Sequence, residues 1–261
     1  MKRLVTSVLG ISLSLGAAAF GLTACQTNTT VEDSAGVEAD STDSNTYVLS
    51  DSERTAGWVL LSGGQDFQGW RGYDSDSIPA VWTVQDGAFY MTADSTKEQG
   101  DLMTDSTYEN FELALEWKIS PCGNSGIIYR AGTETEHPYE TGPEYQVLDN
   151  TCHPDAKEGK NGNRTAGSAY DVYPPSQDVT KPAGEWNQTR LLVDGNHVEH
   201  WLNGVKVLEY ELGSADWQQR VDGSKWANVE GYGTVEDGHI DLQDHGNPVW
   251  YRNIRIRRLP D

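Results

Sequence analysis

"QTRLLVDGNHVEHWLNGVKVLEY", residues 188–210, is three β-rich runs joined by two short turns. The turns are Asp194-Gly195-Asn196 and Asn203-Gly204. Gly and Asn tolerate positive φ, which tight hairpin turns require. The stretch therefore predicts a three-stranded antiparallel meander with strands at 188–194, 197–202 and 205–210. The same texture continues on both sides. Further strands are expected at 82–84, 88–91, 111–119, 126–130, 145–148, 240–243 and 251–257. Helical periodicity is nearly absent, and 27 glycines punctuate the chain. Residues 216–227 are expected to hold a short helix or an irregular excursion. Many short strands with Gly-rich turns point to an all-β sandwich or jelly roll of two antiparallel sheets.

The N-terminus has a different composition. Lys2 and Arg3 precede an apolar run from Leu4 to Phe20, followed by Leu22-Thr23-Ala24-Cys25. A charged start, an apolar segment and small residues before a cut site read as a secretory signal. This one resembles a bacterial lipoprotein signal, with residues 1–24 removed and Cys25 lipidated. Gln26 follows, with no Asp to suggest inner-membrane retention, so the expected location is the outer membrane, facing the periplasm. Residues 25–55 are rich in Ser, Thr, Asp, Glu and Asn and are expected to form a disordered acidic tether. Residues 56–261, about 205 in number, suit a single domain.

The net charge of −21 argues against nucleic acid and against direct adhesion to anionic lipid headgroups. Attachment to the membrane is then expected through the lipid alone. With Cys25 lipidated, Cys122 and Cys152 remain. An oxidising compartment favours a bond between them.

Several polar clusters are candidates for chemistry. In "GPEYQVLDNTCHP", residues 142–154, Tyr145 and Val147 alternate with Glu144 and Gln146. That period puts the acid and the amide on one strand face, with Asp149 and His153 just beyond. In "LQDHG", residues 242–246, Gln243 and His245 share a face in the same way. Asn124 sits in a Gly-bracketed turn before a strand that ends at Arg130, and Tyr170 lies in a loop dense in Tyr and Asp. A solvated sheet edge is the plain reading of each cluster, and a ligand-binding floor is the other. No G-x-S-x-G elbow, H-E-x-x-H zinc motif, cysteine cluster or phosphate-cradling glycine loop is present. An E-x-D-x-x-E glucanase strand is also missing.

In order, "GNSGIIYR", "GPEYQVLDN", "HPDA", "RTAGSAYDVYPP", "KPAGEWNQTRLLVDGNHVEHWLNG" and "LQDHGNPVWYRNIRIRRL" resemble the bacterial 3-keto-disaccharide hydrolase family, also described as 3-keto-glycoside hydrolases, lyases and hydratases. The resemblance runs from "FQGWRG" to the C-terminus. It implies a concanavalin-like jelly roll with a ligand groove on its concave sheet, and a 3-keto sugar as ligand. Cys122 and Cys152, and the length of the acidic tether, are departures from the family pattern. A ketone at C3 acidifies the C2 hydrogen, so a base, an acid and an enolate stabiliser suffice for cleavage. Glu144 and His245 are then expected to share the proton transfers and Arg130 to stabilise the oxyanion. Gln146, Asp149, His153, Gln243, Tyr170 and Asn124 are expected to hold the sugar. No cofactor is required on this reading, and a divalent metal held by Asp and His is the alternative to Arg130. A carbohydrate-binding lipoprotein without catalysis is the rival function on the same fold.

Overall fold

Alternation of buried and outward residues shapes the longest strands. In "FELALEWKI", Phe111, Leu113, Leu115, Trp117 and Ile119 are all buried. The computed structural model describes residues 46–260. The signal segment, Cys25 and the expected tether up to residue 45 lie outside the described residues.

Among the described residues thirteen strands follow in chain order: β1 (Val59–Ser62), β2 (Trp70–Gly72), β3 (Trp82–Gln85), β4 (Ala88–Met91), β5 (Leu102–Thr104), β6 (Phe111–Ile119), β7 (Asn124–Ala131), β8 (Glu144–Leu148), β9 (Asn187–Asp194), β10 (His197–Leu202), β11 (Val205–Glu211), β12 (His239–Leu242) and β13 (Val249–Arg258). Among the described residues three short α-helices, α1 (Asp51–Thr55), α2 (Asp155–Glu158) and α3 (Ala215–Asp222), and one 3-10 helix, Pro138–Glu140, accompany them. All strand pairs are antiparallel. One sheet runs β11-β10-β9-β6-β13-β4-β3, with β1 added alongside β13, and the other runs β2-β5-β12-β7-β8. This is the jelly-roll sandwich expected from the sequence. The meander forms as read. Leu202 pairs with Val205 across Asn203 and Gly204, both at positive φ (50° and 82°), the geometry of a type I′ turn.

The core lies between the sheets. Ile127, Tyr129, Tyr145, Val147, Ile240 and Leu242 from the five-stranded sheet meet Leu113, Trp117, Leu191, Val193, Tyr251 and Ile256 from the larger one. The opposite face of the five-stranded sheet is also covered. Every residue of β7 and β8 is buried, because the 132–143 and 164–173 loops and the segment after α3 close over that face. Part of this cover is an extra edge. Gly167 and Tyr170 donate backbone N–H to the carbonyls of Gln146 and Glu144, and Gln146 donates to Ser168.

The boundary expected at residue 55 falls earlier. Residues 46–55 belong to the folded unit. Ser50 and Glu53 form a capping box at the start of α1. Glu53 also accepts from the Tyr47 hydroxyl at 2.7 Å and lies 3.1 Å from the Arg255 Nε on β13, and Leu49 is buried. Polar contacts hold this segment down, so its poverty in large apolar residues did not signal order.

Candidate active site

The outer row of the five-stranded sheet carries the polar residues. Glu144 and Gln146 on β8 face away from Tyr145 and Val147, which enter the core. Glu144 is 3% exposed and Gln146 0%. Their burial excludes the solvated-edge reading of this strand. Gly126 on β7 stands opposite Gln146 and leaves room for Glu144. A Cβ at Gly126 would lie 2.5 Å from the Glu144 Oε1. On β12 Ile240 and Leu242 enter the core, while Asp241 and, just past the strand, Gln243 are buried on the other side. The Gln243 backbone N–H donates to the Gly126 carbonyl at 3.0 Å.

A cleft of about 290 Å³ opens over this floor, lined by Asp101, Asn124, His137, Tyr139, Glu144, Gln146, Tyr170, Lys225, Gln243, Asp244 and His245. Six residues expected to form the site therefore converge there: Glu144, His245, Gln146, Gln243, Asn124 and Tyr170. Two of them hold unspent hydrogen-bonding groups. The Gln146 Nε2 and Asn124 Oδ1 are buried without a partner among the described residues. Such groups are costly to leave unmatched, and a hydroxylated ligand can match both. Asn124 Nδ2 and the Tyr170 hydroxyl both donate to the Asp155 Oδ2, at 3.3 and 3.0 Å, which closes one wall.

Three expected residues stand apart from the cleft. Arg130 has φ of 51°, which breaks the strand alternation that put it on the face of Ile128. Its guanidinium is buried and donates to the Glu109 carbonyl at 3.2 and 2.8 Å and to the Gly195 carbonyl at 2.8 Å. It clamps two loops together and is not an oxyanion partner. Asp149 accepts from the backbone N–H of Cys122 (2.9 Å) and of Thr151 (3.0 Å), and from the Thr151 hydroxyl (2.6 Å). These donors hold its carboxyl below the ordinary range despite its burial. It braces a turn and does not line the cleft. His153 does not line it either, but its ring meets His245 edge-on at 5.8 Å. The expected Cys122–Cys152 disulfide is present, with 4.7 Å between Cα atoms. It ties the turn before Asn124 to the turn before His153.

The electrostatics favour neutral acids in the cleft. Burial, opposed by Lys225 and reinforced by Asp101 and Asp155, pushes Glu144 up to about 8. Burial and then Asp244 raise Asp101 to about 7, although a backbone N–H from Asp244 opposes this. Asp241 is fully buried, neither carboxyl oxygen has a partner among the described residues, and burial followed by Asp101 and Glu144 drives it well above the usual carboxylate range. His245 is pushed down, first by desolvation and then by His153. The cleft thus presents a protonated carboxyl and a neutral imidazole near pH 7.

Lys225 was not expected from the sequence. It follows α3, and its backbone N–H donates to the Asp171 Oδ2 at 2.7 Å. Its Nζ lies 4.2 Å from the Tyr170 ring centre, 4.3 Å from Trp226 and 5.9 Å from Tyr139. Although the residue is exposed, the protein packed around its amine lowers its pKa by desolvation, against the pull of Glu144. Asp101, His137, Tyr139 and Asp244, which line the cleft, and Asp241, buried outside its lining, were also missed. Asp241 and Asp244 carried a signal, since Asp241 shares the alternation of Gln243 and His245, and Asp244 lies within "LQDHG". The others arrive from loops with no motif.

Among the described residues, two groups of three metal-ligand atoms lie within 4.8 Å of one another: Cys122, Asp149 and Cys152, and His197, Glu199 and Glu209. The first has its sulfurs in the disulfide, and the second lies on β10 and β11. Neither lies in the cleft, so a metal in place of Arg130 has no such preformed ligand set there.

Fold and cleft define a jelly-roll protein with a polar ligand site on one sheet. The sequence profile of the 3-keto-alpha-glucoside-1,2-lyase-like domain matches residues 57–257, and the chain belongs to that family. A Bacteroides thetaiotaomicron protein named 3-keto-disaccharide hydrolase is 39% identical over 228 residues, covering 78% of this chain and 79% of that protein. A crystal structure from Parabacteroides distasonis, provisionally called a glycosyl hydrolase, superposes with a TM-score of 0.73 at 36% identity, covering 82% of this chain and 99% of the other. A second from the same organism, described likewise, gives 0.62 at 27% identity, covering 77% and 99%.

Proposed function

We propose that this protein cleaves the glycosidic bond of 3-keto-glycosides by C2 deprotonation, elimination and hydration. The observation that carries the reading is Glu144, a buried carboxyl held above its usual range on the cleft floor beside the unmatched Gln146 amide. Family membership and the name of the Bacteroides relative support the substrate class.

The roles follow from protonation state. Neutral His245 removes the C2 proton, and the electron pair moves toward C3. The sink at C3 falls to Lys225, the only lysine or arginine among the described residues that line the cleft. Protonated Glu144 gives its proton to the aglycone oxygen as the C1–O bond breaks. Water then adds at C1 of the enone, Glu144 recovers a proton from it, and C2 takes its proton back from His245. The sum is hydrolysis. Stopping before the water step would make the protein a lyase. Gln146, Gln243, Asn124 and Tyr170 hold the ring hydroxyls. A two-carboxylate oxocarbenium geometry is not required.

Release of 4-nitrophenol from its 3-keto-glucoside tests this reading. Glu144→Gln and His245→Asn should each lower turnover by about 10²–10⁴, the usual scale for losing a general acid or base. Sugar binding without turnover in the wild-type protein would refute it and favour the carbohydrate-binding module. We further propose that Cys25 is lipidated and that the domain is tethered to the outer membrane, facing the periplasm. The apolar run ending at Leu22-Thr23-Ala24-Cys25 supports this.

A further inference from the structure

Lys225 is placed for more than charge. Its Nζ makes no hydrogen bond and no ion pair among the described residues, and meets ring faces of Tyr170, Trp226 and Tyr139. The residue keeps solvent access, so an incoming ligand can reach it. Its backbone is fixed on both sides. Lys225 N–H is bound by Asp171, and the Trp226 Nε1 donates to the Tyr170 carbonyl at 3.1 Å. Trp226 in turn stacks on Tyr232 at 4.8 Å and Tyr232 on Trp217 at 5.8 Å, which ties the segment to α3. A lysine held only to position a charge gains most from a carboxylate or carbonyl partner. Here the amine has a rigid base, a carboxyl neighbour in Glu144 and an open approach from the cleft.

We propose that Lys225 is a covalent catalyst whose Nζ condenses with the C3 ketone of the substrate to give an iminium. The inference rests on the 3-keto-glycoside reading and specifies the electron sink. The amine adds to C3, a proton from Glu144 is taken up, and the former carbonyl oxygen leaves as water. Glu144 is reprotonated from solvent. The iminium acidifies the C2 hydrogen more than the ketone does, and His245 removes it to leave an enamine. The enamine electrons form the C1–C2 double bond and expel the aglycone, whose oxygen takes the Glu144 proton. Water adds at C1 and returns a proton to Glu144, and C2 is reprotonated by His245. A second water hydrolyses the iminium, which frees the neutral amine and the 3-keto sugar and returns one proton to solvent. One water is consumed overall and no electrons are transferred. Desolvation by the surrounding rings and cleft wall lowers the pKa of Lys225 while leaving it accessible, which raises the fraction of nucleophilic amine.

The test is trapping. The full-length protein is incubated with methyl 3-keto-glucoside, reduced with sodium borohydride and mapped by peptide mass spectrometry. A stable adduct on Lys225, with the mass of the ketone less one oxygen atom, is expected. Methyl glucoside without the ketone should leave no adduct. Lys225→Arg keeps the charge but cannot condense, and should lose at least about 10² in turnover, as Lys225→Ala does. Turnover by the wild type with no adduct on Lys225, or a folded Lys225→Arg within about tenfold of wild type, would overturn the covalent role and leave the cleavage reading standing. Lack of turnover with an adduct on Lys225 would uphold capture of the ketone and overturn cleavage. Lack of both would overturn both.

Discussion

Gly126→Ala tests whether Glu144 works from the position the sheet gives it. The backbone of Gly126 is not in the positive-φ region, so alanine can adopt it. The added Cβ would lie 2.5 Å from the Glu144 Oε1 and 2.8 Å from its Cδ and Cγ. Ordinary contact needs about 3.5 Å or more, so the carboxyl must retreat by roughly 1 Å. Overpacking of this kind costs about 1–3 kcal/mol. A shift of about 1 Å in a catalytic group costs on the order of 10² in rate. The variant should therefore unfold at lower urea, by about that free energy, and release 4-nitrophenol about 10²-fold more slowly at saturating substrate. Combining it with Glu144→Gln should add little further loss, because both changes act through the same group. A folded Gly126→Ala protein with wild-type turnover would refute the reasoning. So would a double variant in which the two rate losses simply multiply.

The rate should follow a bell in pH, falling on the alkaline side as Glu144 loses its proton near 8 and on the acid side as His245 gains one below the ordinary imidazole value; Glu144→Gln should abolish the alkaline limb. The same carboxyl affects stability. Its folded pKa lies above the ordinary glutamate value of 4.5, so the native state binds more protons between the two values. Stability measured in urea should fall as pH rises from about 5 through 8, and Glu144→Gln should make that slope shallower, leaving the part that Asp101 and Asp241 contribute. Replacing Cys122 and Cys152 together with Ser opens a link across a sequence separation of 30 and should cost about 3 kcal/mol in unfolding free energy; an unchanged midpoint would refute it. Cys25→Ser should remove the lipid mass from the protein purified from membranes, and an unmodified wild-type N-terminus elsewhere would refute the anchor.

The sequence by itself determined the sheets, because hairpin turns and alternation are local. Asn203-Gly204 can adopt two successive positive φ values at little cost, and the flanking residues then pair across the turn. The same alternation put Glu144 with Gln146 on one face, and motif order carried the family. β2 and β5, three residues each, are too short to show a period. α1 is held by a capping box and Arg255, which apolar patterning does not register. Tertiary structure decided which polar face became a cleft. Burial of Glu144 depends on loops closing over β8, and its raised pKa depends on that burial. One positive φ at Arg130 turned an expected oxyanion partner into a loop clamp. Lys225 stands 81 residues beyond Glu144 in the chain and meets the cleft only because α3 packs where it does. Local pattern fixes which way a strand residue points, but the field around it comes from groups that are distant in the chain and brought near by packing.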